Sequence, residues 1–403
     1  TPVGGDRNVF FREEGRPIRR SSHALLEDPA GTESDASDAR QLFAALAGED
    51  CVVYAHVGGR YADIAYAHDA RLETALELHS AWGTFEWLLT DSFRLGYRCG
   101  VVCNSDGHKG RPGASHPGSS TFGAYGGLTC FLAPALEREA IFECLRRRHH
   151  YGTTGSRMHI DLEVAIPGGG TLYERDPNAF DDPPSRRIER AMMGDIVRTA
   201  AREVRLAVRV IAQAPIERIE IRNGDRTVET FRPYGAGELG ARVRVVWSGA
   251  EYRGRGRNTR WQGRARFAGA TIRRLARINA WNPERLFEQR GSDTVLWESV
   301  TTGNFAAFDA WLEEGADSVL EVRTNRGDLT VPLAELGLED VVLEAGGLER
   351  RLRVFRLPET NPHREVAFER TVALERCGDN PVWICVTTED GHQAWTSPVF
   401  LFA

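Results

Sequence analysis

What the sequence lacks narrows the reading first. No apolar window of about 18 residues occurs, so no segment reads as a membrane-spanning helix. There is no CxxC pair: the seven cysteines, an odd number, stand at 51, 99, 103, 130, 144, 377 and 385. Cys51, Cys99, Cys103 and Cys385 fall inside apolar, strand-like runs, which points to reduced, buried thiols rather than disulfides or a zinc knuckle. Neither charge sign dominates, with 51 Lys+Arg against 57 Asp+Glu and a net charge of -6. That balance argues against a nucleic-acid or anionic-membrane partner and for a small one. Ser80 and Ser105 lie near histidines, but neither sits in a GxSxG elbow, which removes the activated-serine reading. The opening Thr1-Pro2-Val3 has neither an initiator Met nor a signal peptide, as expected of the interior of a longer protein. The expected location is the cytoplasm.

What is there divides into two styles of pattern. A chain of 403 residues exceeds one ordinary domain and suggests about two or three. From residue 38 to about 150, helical stretches alternate with short apolar runs. "SDARQLFAALAGED" has capping candidates at Ser37 and Asp38 and apolar Leu42, Phe43 and Leu46 at helical spacing, and it predicts a helix. "CVVYAH", "ALELHS" and "CGVVCNS" read as strands, while "TFEWLLTDSFRLGYR" and "PALEREAIFECLRRRHH" read as helices. Strands separated by helices imply βαβ units and a parallel sheet, open or closed into a barrel. After residue 158 the runs become short and alternating, bounded by turns such as Asn223-Gly224-Asp225, which predicts an antiparallel sandwich. The expected boundary lies near residue 157, giving units 1–157 and 158–403.

Three successive strands of the first unit end in metal-ligand chemistry. His56 closes "CVVYAH", Glu77 and His79 close "ALELHS", and Asp106 and His108 follow "CGVVCNS". In parallel α/β folds the loops at the carboxyl ends of the strands converge on one face, so these side chains are expected to meet. Imidazole and carboxylate without thiolate suit Zn, Mn or Fe, and zinc lowers the pKa of a bound water to about 7, enough for hydrolysis at neutral pH. Lys109 and Arg111 follow at once, placed to clamp an anionic oxygen; His116 and Arg157 are further candidates of that kind. His149-His150 at a helix end reads as a dipole-compensating pair. "YRGRGRNTRWQGRAR" (252–266) carries six arginines with Tyr252 and Trp261; it reads either as a single-strand nucleic-acid surface or, in an acidic chain, as an exposed hairpin. A carbohydrate reading, with Trp82, Trp87, Trp247 and Trp261 stacking on sugars and Glu77 and Asp106 as acid and base, leaves His56 and His108 without a role.

At these residues the chain resembles the PHP (polymerase and histidinol phosphatase) family of metal-dependent hydrolases. "YAHVGG" is similar to that family's His-Pro motif, with Val57 where Pro is usual; "LELHS" is similar to its Glu-Ile-Asn segment; "NSDGH" matches its final Asp-x-His. More closely, the chain resembles the carboxyl-terminal portion of a large uncharacterised group of PHP-like bacterial proteins in which "HSAWGTFEW", "NSDGHKGRPGA", "GAYGGLTC" and "YGTTG" recur. The resemblance implies an α/β fold, a partial PHP-type (β/α)7 barrel over 1–157 followed by a β-rich, sandwich-like domain over 158–403. It also implies a divalent transition metal (Zn, Mn or Fe) held by His56, Glu77, His79, Asp106 and His108, with Asp106 and His108 catalytic and Lys109 and Arg111 binding the substrate. The family's amino-terminal His-x-His has no counterpart here, and His23 stands alone. The expected function is a metal-dependent hydrolase, a phosphoesterase by class, acting on a small anionic substrate. The competing expectation is a non-catalytic binding or interaction protein built on a degenerate barrel.

Overall fold

Strict alternation of apolar and polar residues builds most of this protein. The computed structural model describes residues 3–19, 34–58, 60–107, 125–254, 257–280, 282 and 284–403. Among them, three α-helices stand against 25 strands arranged in three open sheets. The protein is therefore mostly β, and the expected partial (β/α)7 barrel is not formed. None of the helices is long and apolar enough to cross a membrane.

The first sheet has five strands: β1 (Arg7–Phe11), β2 (Cys51–Ala55), β3 (Glu73–Ser80), β4 (Gly83–Thr84) and β5 (Gly100–Cys103). Strands β2, β3 and β5 are parallel, with β3 in the middle, whereas β1 and β4 join antiparallel. Helix α1 (Ala39–Leu46) starts where Asp38 accepts the backbone N–H of Gln41 at 2.9 Å and buries Leu42, Phe43 and Leu46, an ordinary N-cap and apolar stripe. Helix α2 (Glu86–Arg94) buries Leu88 and Leu89; α3 (Arg138–Arg147) ends at Arg148 in the left-handed region. The barrel fails for a packing reason. The apolar cluster of Leu76, Leu78, Phe85, Leu88 and Val101 is completed by Trp383, Cys385 and Trp395 from the far end of the chain. An adjoining β-sheet covers this face, where a barrel would place further βα units.

That adjoining sheet has twelve strands. It takes in β6 (Leu128–Phe131), β7 (His150–Thr153) and β8 (His159–Tyr173) together with the tail strands Asn380–Thr388, Gln393–Thr396 and Val399–Phe402. On β8, Ile160, Leu162, Val164 and Ile166 are buried while His159, Asp161 and Glu163 are exposed, the period of two that one buried face requires. An eight-stranded antiparallel sheet follows, with two strands of 20 residues, Thr259–Ile278 and Phe305–Thr324. Its core holds Trp247, Trp261, Trp297 and Phe308, the first and third stacked at 5.0 Å. Trp247 and Trp261 are thus interior and cannot stack on a base or a sugar. In the arginine-rich run, Tyr252 is exposed, with the Arg257 guanidinium 4.7 Å over its ring.

The first and third sheets touch through backbone. Gly83 and Gly303, with φ of 142° and 87°, lie where an added Cβ would stand 2.2 Å from Thr302 O and 1.9 Å from Thr84 O respectively. Only glycine permits both the conformation and the approach, and Thr84 N–H donates across to Thr302 O at 3.0 Å.

Candidate functional site

The site grows from the carboxyl ends of β2 and β3 and the loop after β5. Antiparallel pairing of β1 with β2 sets Arg7 opposite Ala55, so the next residues out, Asp6 and His56, also face each other, and His56 N–H donates to Asp6 O at 3.1 Å. Parallel pairing of β2 with β3 then brings Glu77 beneath His56. Nδ1 of His56 meets Oε2 of the fully buried Glu77, and the same oxygen accepts the Val57 N–H at 2.9 Å. A carboxylate only accepts, so the proton belongs on Nδ1 and the lone pair on Nε2. Nε2 points to Asp106, whose Oδ2 lies 3.9 Å away; the two side chains are 18% and 14% exposed, at the rim rather than in the core. Asp106 is itself held at φ 43°, a left-handed conformation that aspartate, like asparagine, tolerates better than most residues and that sharp turns and functional loops use.

Electrostatics follow from this arrangement. Burial opposes a charged His56, but the hydrogen bond to Glu77 and the charges of Glu77, Asp106 and Asp6 outweigh it and hold its pKa above the ordinary histidine value. Tyr54 is shifted upward by burial and by Glu77 and Asp106, so it stays a neutral phenol; its hydroxyl receives the Asn104 amide at 3.2 Å. Gly58 closes the other side. A Cβ there would stand 2.4 Å from His56 Nε2 and 3.3 Å from Asp6 Oδ2, so the absence of a side chain leaves the imidazole its space.

Of the residues singled out from the sequence, His56, Glu77 and Asp106 come together. His79 is committed elsewhere: Nε2 donates to Tyr125 O at 2.8 Å, which leaves Nδ1 to accept from the Thr84 hydroxyl at 2.8 Å. Burial lowers its pKa to about 4, so it is a neutral histidine with no lone pair to offer. His23, His108, Lys109, Arg111 and His116 lie outside the described residues. Arg157 is exposed. His149 Nε2 lies 2.9 Å from Asp195 Oδ1, and His150 is fully buried with its Nδ1 on Val101 O at 2.7 Å, so the second is no surface residue. Asp6 and Tyr54 were not singled out from the sequence. The available signal was register, since pairing "RNVFF" with "CVVYA" sets Asp6 opposite His56.

A divalent metal can be tested against these donors. Two donors of one tetrahedral ion, each about 2.1 Å from it, stand about 3.4 Å apart; His56 Nε2 and Asp106 Oδ2, at 3.9 Å, come to that spacing with a side-chain shift of about half an ångström. Glu77 occupies the outer-shell position that fixes the tautomer of a ligating histidine, and its buried Oε1 has no hydrogen-bond partner among the described residues. Among the described residues no group of three His, Cys, Asp or Glu is close enough to hold an ion. The described part thus fits a metal as two donors and one orienting carboxylate, not as a whole coordination set.

Fold and site together define a mostly β protein of three open sheets carrying a histidine–carboxylate cluster at the mouth of a small parallel sheet. Residues 104–221, from the loop that carries Asp106 into the twelve-stranded sheet, match the model of a family described as a protein of unknown function (DUF3604), with no PHP assignment. No curated protein and no solved structure matches the chain.

Proposed function

We propose that this protein is a metal-dependent hydrolase, of the phosphoesterase class, with its reaction centre at His56 and Asp106. The observation that carries the reading is the 3.9 Å approach of His56 Nε2 to Asp106 Oδ2 with Glu77 fixed behind the ring. The PHP-like motifs "YAHVGG" and "NSDGH" support it. A Zn, Mn or Fe ion bound there supplies Lewis acidity and an activated water. The chain's own residues divide the remaining work. His56 and Asp106 hold the ion, Glu77 keeps the imidazole proton on Nδ1, and Tyr54 remains a neutral donor beside the carboxylates. His108, two residues beyond Asp106, is the third donor in this reading, and Lys109 and Arg111 hold the anionic oxygens of a small substrate.

The test is metal content after loading with zinc or manganese, together with hydrolysis of p-nitrophenyl phosphate, on the chain and on its His56→Ala and Asp106→Ala variants. We expect about one ion or more per chain, lost in both variants along with hydrolysis. Less than one equivalent in the parent, with hydrolysis unchanged in Asp106→Ala, would return the protein to the class of non-catalytic binding proteins.

A further inference from the structure

A second concentration of charge lies away from His56, where the twelve- and eight-stranded sheets meet the start of α2. Each sheet turns an apolar face to its own core: Ile219 and Ile221 of strand Ile216–Asn223 on one side, Leu352 and Val354 of strand Leu348–Pro358 on the other. Alternation forces the intervening residues into the gap between the sheets. The result is a cavity of about 110 Å³ whose lining includes four arginines and four glutamates. At about 10–15 Å³ per water-sized centre, it has room for roughly seven to eleven such groups.

Most of these charges are already matched. Arg222 donates to Glu86 at 2.7 Å and to Glu220 at 2.9 Å, and Arg218 grips Asp340 through two bonds of 2.7 and 2.8 Å. Three groups at the solvent-facing edge, Glu349 exposed and Arg351 and Arg353 half-buried, are matched less fully. Glu349 makes no side-chain hydrogen bond or ion pair among the described residues. Arg351 engages Glu344 through Nε alone, at 2.9 Å, and Arg353 engages Asp340 through one terminal nitrogen, at 3.3 Å. The backbone has been bent to present them. Ser248 pairs with Arg351 and Ala250 with Leu348, so Gly249 faces two residues, a bulge that places Glu349 at φ 52°. Bulges and left-handed non-glycine residues re-aim side chains and are enriched beside binding and active sites as well as at sheet edges.

We propose that this cavity binds an uncharged, polyhydroxylated small molecule of about monosaccharide size. Glu349 accepts from its hydroxyl groups, and the unengaged guanidinium nitrogens of Arg351 and Arg353 donate to its oxygens. The equal numbers of arginine and glutamate disfavour a ligand of either net charge. Glu349 offers acceptors and Arg351 and Arg353 offer donors further along the same strand, which neighbouring hydroxyl groups, each both donor and acceptor, satisfy; a zwitterion is the competing occupant, and glycine as a control ligand separates the two. The inference is independent of the hydrolase reading.

Binding of myo-inositol and D-glucose to the purified chain, followed by calorimetry and ligand-observed NMR with glycine and inorganic phosphate as controls, tests it. We expect saturable binding of at least one polyol with a Kd of about millimolar or tighter, weakened at least about tenfold in both Glu349→Ala and Arg351→Ala and unchanged in Asp106→Ala. Melting curves identify any variant that fails to fold, and the other then decides. No saturation by either polyol up to about 50 mM overturns the proposal. So does binding that survives both substitutions, or saturation by glycine or phosphate instead.

Discussion

Arg244 and Asp309, opposite each other on neighbouring strands of the eight-stranded sheet, make two parallel hydrogen bonds of 2.6 and 2.9 Å inside the protein. Arg244 is completely buried and also contacts Glu217 of the twelve-stranded sheet, while Arg242 shares Asp309. Asp309→Ala leaves two buried guanidinium groups short of their carboxylate, and loss of one partner of such a pair costs about 3–5 kcal/mol. Denaturant unfolding of the chain and the variant measures it; a loss below about 1 kcal/mol would mean that the pair is solvated.

Stability falls on acidification because of His150. Burial drives its pKa down to about 3 despite the hydrogen bond to Val101. An unfolded chain binds the proton near pH 6.5, so the stabilising difference is complete above that value and is lost as pH falls from about 6.5 towards 3, by about 1.4 kcal/mol per pH unit. His150→Gln keeps a donor for Val101 O and should shallow the slope of unfolding free energy against pH by about that amount between pH 6 and 4. Parallel slopes would show that His150 is protonated in the folded state.

Gly58→Ala separates stability from site geometry. The new methyl meets the outer end of the His56 ring, 2.4 Å from Nε2, and a ring at the rim can swing aside. The expected destabilisation is under about 1 kcal/mol, with a displaced His56 NMR resonance and weakened zinc binding. Wild-type zinc affinity in this variant would place the ion elsewhere.

Glu77→Gln retains size but can offer its NH₂ group to Nδ1, which favours the wrong tautomer. If His56 ligates a metal, zinc affinity drops by about 10–100-fold, and competition with a chromogenic chelator reads this directly. Unchanged affinity would exclude His56 Nε2 as a ligand.

The three helices and the parallel trio β2, β3 and β5 are legible in the sequence because each carries its own periodicity and caps. The convergence of His56 on Asp106 is legible for the same reason: parallel strands put their carboxyl ends on one side. The barrel expectation failed because periodicity says which face is apolar but not what covers it. Here the cover is Trp383, Cys385 and Trp395, about three hundred residues away in sequence. Glu77's placement behind the ring, not in front of it, depends on the register of β2 against β3, and His79's engagement with Thr84 depends on the two-residue strand β4. Neither register nor so short a strand leaves a compositional trace. The charged cavity was illegible for a related reason, since its walls come from different sheets and each wall alone reads as the polar side of a strand.

The threading of the twelve-stranded sheet has a consequence for how the protein is made. Strand Gln393–Thr396 pairs with β7, and Val399–Phe402 lies parallel to Ile196–Arg198, so each earlier segment waits for one synthesised about two hundred residues later or more. While the ribosome is still translating the middle of the chain, β7 has an open flank and the aromatic cover of the first sheet does not yet exist. Nascent chains stalled before residue 380 should therefore recruit chaperones and yield to protease around the first sheet, the region that carries His56 and Asp106.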